Sequence, residues 1–97
     1  MGTTVIEPLP TTWWCSFCDP GRPPGSQFLG ACIVGGVTFP VAIQRSWTLG
    51  INPGGEISAR EFPVSVAAII DARWRDRLLT KAECAEFDDE MQAKLAS

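Results

Sequence analysis

The sequence predicts an α+β fold in the order β-β-α-β-α-α, a small three-stranded sheet covered by helices. Three observations predict it. Two short, apolar, β-prone runs flank a proline- and glycine-rich loop in the first third of the chain. A helix signed at both ends, by Thr38 and by Gly50, occupies the middle. From Ser65 onward the apolar residues recur at three- and four-residue steps, with one interruption near Leu79. A chain of 97 residues has room for one modest core, and 45% apolar against 20% charged residues is a globular balance.

In chain order, Met1–Pro10 carries two prolines and no periodicity and is expected to be a loose N-terminal arm, with a single domain over residues 11–97. The first strand is expected over Thr12–Phe17, ending at the turn formers Asp19-Pro20-Gly21. The second is expected over Gln27–Val34, where a nearly continuous apolar run fits a central strand buried on both faces, closed by Gly35-Gly36. Thr38 can cap a helix that tolerates Pro40 in its first turn. Phe39, Ile43 and Trp47 form its expected buried stripe, and Gly50 with Ile51 forms a Schellman ending. If the strands on either side of this helix run parallel, it makes a right-handed crossover. After the Asn52-Pro53-Gly54-Gly55 turn, Glu56–Phe62 is expected as the third strand, ended by Pro63. Val66, Ile69, Ile70 and Trp74 predict one helix with Arg73, Arg75 and Arg77 toward its far end. Thr80 and Glu83 spell a capping box, with Leu79 against Cys84 as a staple. Cys84, Phe87, Met91 and Leu95 then carry the stripe of the last helix, which is buried on the sheet or on a partner chain.

The net charge of −3 does not suit a chain that binds nucleic acid directly. No basic-then-apolar leader and no membrane-length apolar run is seen, so the expectation is a cytoplasmic protein with reduced thiols.

Catalytic routes are few. Histidine, the commonest general base near neutral pH, is absent. The two lysines, Lys81 and Lys94, fall on expected helix surface, and Glu56 and Glu61 lie on opposite sides of one strand. The chain is therefore expected not to be an enzyme and to need no cofactor. Cys15-x-x-Cys18 has zinc-ligand spacing, and Trp13-x-Cys15-x-x-Cys18 resembles the first half of the small zinc fingers that open with a tryptophan two residues before a cysteine pair. The second pair of that family is missing. A zinc site from Cys15, Cys18, Cys32 and Cys84 is the alternative to four core thiols, and it requires the first strand to end early, because Cys15 and Cys18 otherwise point to opposite faces. The glycine pairs lack the spacing of phosphate loops and read as turns.

Two features point to binding. Trp13 and Trp14 are adjacent in a strand, so one faces the core and the other faces outward or into a partner. Glu83, Glu86, Asp88, Asp89 and Glu90 give the last helix an acidic face suited to a basic groove, unless Arg73, Arg75 and Arg77 pair with them within the molecule or across a homodimer. The run Trp14-Cys15-Ser16-Phe17-Cys18-Asp19-Pro20, with Phe28-Leu29-Gly30 and the segment Leu49 to Glu56, resembles small accessory proteins of tailed bacteriophages over about half the chain. That resemblance carries no catalytic residues. It implies a binding protein in the host cytoplasm, of a group that includes inhibitors of CRISPR and other defences, with a protein partner such as a host nucleic-acid-binding complex. The alternatives are a binder of small anionic ligands such as nucleotides, using the glycine turns and nearby arginines, and a zinc-stabilised interaction module.

Overall fold

The computed structural model describes residues 11–97, and the expected N-terminal arm lies outside the described residues. The order is β1 (Thr11–Cys18), β2 (Phe28–Gly36), α1 (Phe39–Thr48), β3 (Glu56–Glu61), α2 (Val64–Ala67), a 3-10 turn (Ala72–Trp74) and α3 (Lys81–Ala96). It is the predicted α+β succession, with a three-stranded antiparallel sheet in the order β2-β1-β3. β2 and β3 thus run the same way on either side of β1, and α1 carries the chain across it.

Expectation and structure differ at β2. The central strand is β1, yet β2 is buried on both faces. Its outer edge is closed by the segment following Trp74. Ala31 exchanges backbone bonds with Leu79 (3.1 and 2.7 Å), and the Asp76 N–H donates to Ile33 O (3.0 Å). A covered edge produces the same apolar run as a central position, because burial and not strand order selects it.

Side-chain alternation divides the core. Trp13, Cys15 and Phe17 of β1 join Cys32 and Val34 of β2 on the face under α1. Trp14 of β1 and Ile33 of β2 point the other way and meet Ile70, Trp74, Leu79, Phe87 and Met91. The chain therefore builds a thin core on each side of one sheet.

Both ends of α1 are as predicted. The Val41 N–H donates to Thr38 Oγ1 (3.4 Å), and at the other end the Gly50 N–H donates to Trp47 O (3.0 Å) and the Ile51 N–H to Ser46 O (3.1 Å), the Schellman pattern with Gly50 at φ 72°. Its buried stripe is not as predicted. Ala42 and Ser46 face the sheet, whereas Trp47 is 56% exposed. Gly36 explains the rotation, since a Cβ there would lie 2.7 Å from Ala42 N. The helix backbone rests directly on the strand, and only small residues fit in that seam.

The helix expected from Ser65 through the arginines Arg73, Arg75 and Arg77 is broken. α2 ends at Ala67, and the Asp71 carboxylate accepts from the Arg73 N–H (2.9 Å), starting a separate 3-10 turn. The periodicity identified which residues are buried, Ile70 and Trp74 among them. It did not identify the backbone path, because the aspartate offers a competing local hydrogen bond. The Thr80–Glu83 capping box is present, and Leu79 and Cys84 share one cluster. Leu95 is 58% exposed, so the buried stripe of α3 stops at Met91. No helix among the described residues is long and apolar enough to cross a membrane.

Candidate functional site

The outward side of α1 carries the least expected surface. Val37, Phe39, Val41, Trp47 and Leu49 are all exposed, within thirteen consecutive residues. At 100° per residue, Val41 and Trp47 bracket the solvent-facing side of the helix. Since Ala42 and Ser46 occupy the inward seam, the larger apolar side chains are left outside. The signal was present in the sequence as small residues four apart on the helix, Ala42 and Ser46, preceded by Gly35-Gly36, a combination that marks close packing of helix on strand.

Between α1 and the last residues of β2 lies an open groove of about 710 Å³, walled by Val37 and Val41 and floored by Gly35 and Gly36. Arg45 and Arg75 give it a basic rim. The Arg45 Nε lies 3.5 Å from Asp76 Oδ1, with both side chains nearly half exposed. Arg75 donates to Ala67 O (2.6 Å) and to Thr12 Oγ1 (3.5 Å), which ties the groove to the segment behind it. At the other end of α1, Ser46 Oγ donates to Ile43 O (2.6 Å) and accepts from Asn52 Nδ2 (3.0 Å), while Asn52 Oδ1 accepts from the Gly54 N–H (2.8 Å). The helix is thereby clamped to the turn that starts β3.

The sequence-identified residues are distributed differently. Trp13 is 9% exposed and its Nε1 donates to Gly36 O (2.8 Å), so it packs inside. Trp14 is half-buried and stacks on Phe87 with ring centroids 5.6 Å apart. Trp14 and Asp88 share the lining of a smaller hollow of about 380 Å³ with Arg60.

The five acids of α3 separate into two groups. Glu90 accepts from Trp74 Nε1 (2.7 Å), pairs with Arg73, and has Lys94 Nζ 3.6 Å away. The Trp74 N–H first, and then the Arg73 guanidinium, hold its carboxyl below the usual carboxylate range. Glu83 closes the capping box and pairs with Arg77 at 2.5 Å, and its carboxyl is also lowered, chiefly by the Thr80 backbone N–H and then by Arg77. Two of the three arginines are thus paired with α3 inside the molecule. Glu86, Asp88 and Asp89 remain exposed and have no ion-pair partner among the described residues.

The cysteines do not converge. Cys15 and Cys32 are cross-strand neighbours, both fully buried on the α1 face. The hydrogen bond to Cys15 and burial push the Cys32 thiol far up. β1 continues to Cys18 instead of ending early, and Cys84 packs in the cluster on the opposite side of the sheet. Among the described residues, no three His, Cys, Asp or Glu side chains gather in a metal-ligating group. No protein-family model, curated protein or solved structure matches the chain.

Proposed function

We propose that the chain is a non-catalytic binding protein that takes a protein partner on the outward face of α1 and the adjoining groove. One observation carries this reading: Val37, Val41, Trp47 and Leu49 stand in solvent on and beside α1, and Val37 and Val41 line a groove whose rim is charged. Large apolar side chains left in solvent along one helix of a small domain are costly to keep soluble and are typical of interaction sites, where tryptophan contributes strongly. The acidic residues Glu86, Asp88 and Asp89 then act as a second, electrostatic surface. On the bacteriophage resemblance, the partner is a host defence complex in the host cytoplasm and binding inhibits it.

Affinity capture from bacterial lysate tests this with two variants. Val41→Glu/Trp47→Glu alters exposed positions only, and Glu86→Gln/Asp88→Asn/Asp89→Asn removes the free acids without touching the structural Glu83 and Glu90. The wild type is expected to retain a specific protein that the α1 variant loses by tenfold or more, on the order of a hot-spot substitution. The α3 variant is expected to lose less. Equal retention by the wild type and the α1 variant would remove the proposal.

A second reading has one specific observation in its favour. The groove has the volume of a small-ligand pocket, with Arg45 and Arg75 at its rim and two glycines on its floor. A nucleotide or sugar phosphate held there is expected to raise the melting temperature in proportion to the logarithm of its concentration, and Arg45→Ala is expected to abolish that rise. A flat screen of nucleotides and phosphate esters at millimolar concentration counts against it.

A further inference from the structure

β3 ends the sheet on the side away from the α1 groove, and its strand bonds run to β1 alone among the described residues. The Phe62 N–H donates to Thr12 O (2.9 Å). Because antiparallel bonding alternates, Arg60, Ser58 and Glu56 also turn their backbone groups toward β1, whereas Ile57, Ala59 and Glu61 turn theirs outward. α1 and α3 make their main sheet contacts with β2, and among the described residues no strand pairs with the outer edge of β3. The strand contains no proline, and its register with β1 is uninterrupted, so it lacks two of the usual devices that blunt a sheet edge.

We propose that this edge is the interface of a symmetric homodimer, in which β3 pairs antiparallel with β3 of a second copy and the two sheets become one. The strand's own sequence selects the register. Outward backbone groups must oppose outward groups, so the two-fold axis falls on a residue and not between residues. An axis on Ser58 sets Ile57 opposite Ala59 of the second copy and Glu56 opposite Arg60, each twice by symmetry. An axis on Ile57 sets Arg60 opposite Gly54, and an axis on Ala59 sets Arg60 opposite Ser58. Neither pairs the charges, and an axis on Arg60 opposes like charges. With the axis on Ser58, Glu61 faces Gly55, which offers no side chain to clash. Glu56 and Arg60 are exposed on the same side of the strand and have no ion-pair partner among the described residues. Cross-strand charge pairs and an Ile-Ala contact are the units that stabilise such pairing. The interface is independent of the function proposed for α1.

Sedimentation equilibrium of the full chain over micromolar to millimolar concentration tests it. The wild type is expected to dimerise. Glu56→Arg or Arg60→Glu alone opposes like charges and is expected to weaken the dimer roughly tenfold, while the double swap restores it. Ala59→Pro removes an outward N–H that the fold does not use, and is expected to leave a folded monomer by circular dichroism. Ser58→Cys lies on the axis and is expected to form a disulfide-linked dimer under oxidation that leaves the wild type uncrosslinked. A wild type that stays monomeric throughout would overturn the proposal, whether residues 1–10 or a strand of another protein occupies the edge. A dimer that survives Ala59→Pro would overturn it equally, and failure of the double swap to restore dimerisation would overturn the register.

Discussion

Trp74→Ala is expected to cost about 3–5 kcal/mol, the range for truncating a large buried aromatic, and to lower the melting temperature by roughly 15–30 °C. For a domain of this size that is a large share of a total stability of about 5–15 kcal/mol. Trp74 is 1% exposed and sits where three separate segments meet. Its ring packs edge-on against Phe87 of α3 at 5.8 Å, and the Arg73 guanidinium lies over it at 4.3 Å. Its Nε1 donates to Glu90 Oε2. Removing the ring opens a cavity under α3 and takes from Glu90 its first hydrogen-bond donor. Thermal unfolding followed by circular dichroism measures the whole effect.

Trp74→Phe separates the two contributions, because it keeps most of the ring and removes the N–H. The sign follows from Glu90, whose folded carboxyl titrates below its unfolded value of about 4.3. Such a group adds stability that is fully present above the unfolded value and is lost as pH falls through the folded one. The difference in melting temperature between wild type and Trp74→Phe is therefore expected to be constant from pH 7 to about pH 5 and to shrink below about pH 4. A difference that does not change with pH would show that the Glu90 hydrogen bond contributes nothing.

Gly55→Ala is the second substitution expected to have a large effect, with Gly54→Ala as its control. Both glycines have left-handed backbones, at φ 80° and 85°, so each alanine incurs a conformational cost of about 1–2 kcal/mol. Their surroundings differ. Nothing lies within 4 Å of a Cβ added at Gly54, whereas a Cβ at Gly55 would overlap the Cys18 carbonyl oxygen and approach Leu29 Cδ1 at 3.0 Å. Backbone atoms at the end of β1 cannot move aside without breaking the pairing of Cys18 with Glu56. Overpacking of this kind adds about 1–3 kcal/mol, so urea unfolding is expected to place Gly55→Ala well below Gly54→Ala. Equal midpoints would mean that β3 starts without pressing on β1.

The same two regions show what was legible in the sequence. Local signals in the sequence match the structure wherever one short stretch contains all the interacting groups. The Thr38 cap, the Schellman ending at Gly50–Ile51 and the Thr80–Glu83 box each join residues within five positions of one another, and each is present. Strand locations were equally local. Side-chain alternation also correctly sent Trp13 and Trp14 to opposite faces, but it could not show that both faces are covered.

The candidate site was less legible. Adjacency in a strand points to Trp13 and Trp14, yet the exposed tryptophan is Trp47, which periodicity places inside. A helix with apolar residues on several sides presents more than one plausible stripe, and Gly36 decides among them from outside the helix. The five acids were visible as a run, but their division into structural and free groups depends on Arg73, Arg77 and Trp74, which reach α3 only after the chain breaks at Asp71. The sequence by itself determined the α+β order, the cap chemistry and the absence of histidine, because these are properties of single residues and of neighbours along the chain. Only the tertiary structure decided which strand is central, which face of α1 meets water and which acids are paired, because each of these depends on groups that are distant in sequence competing for one surface.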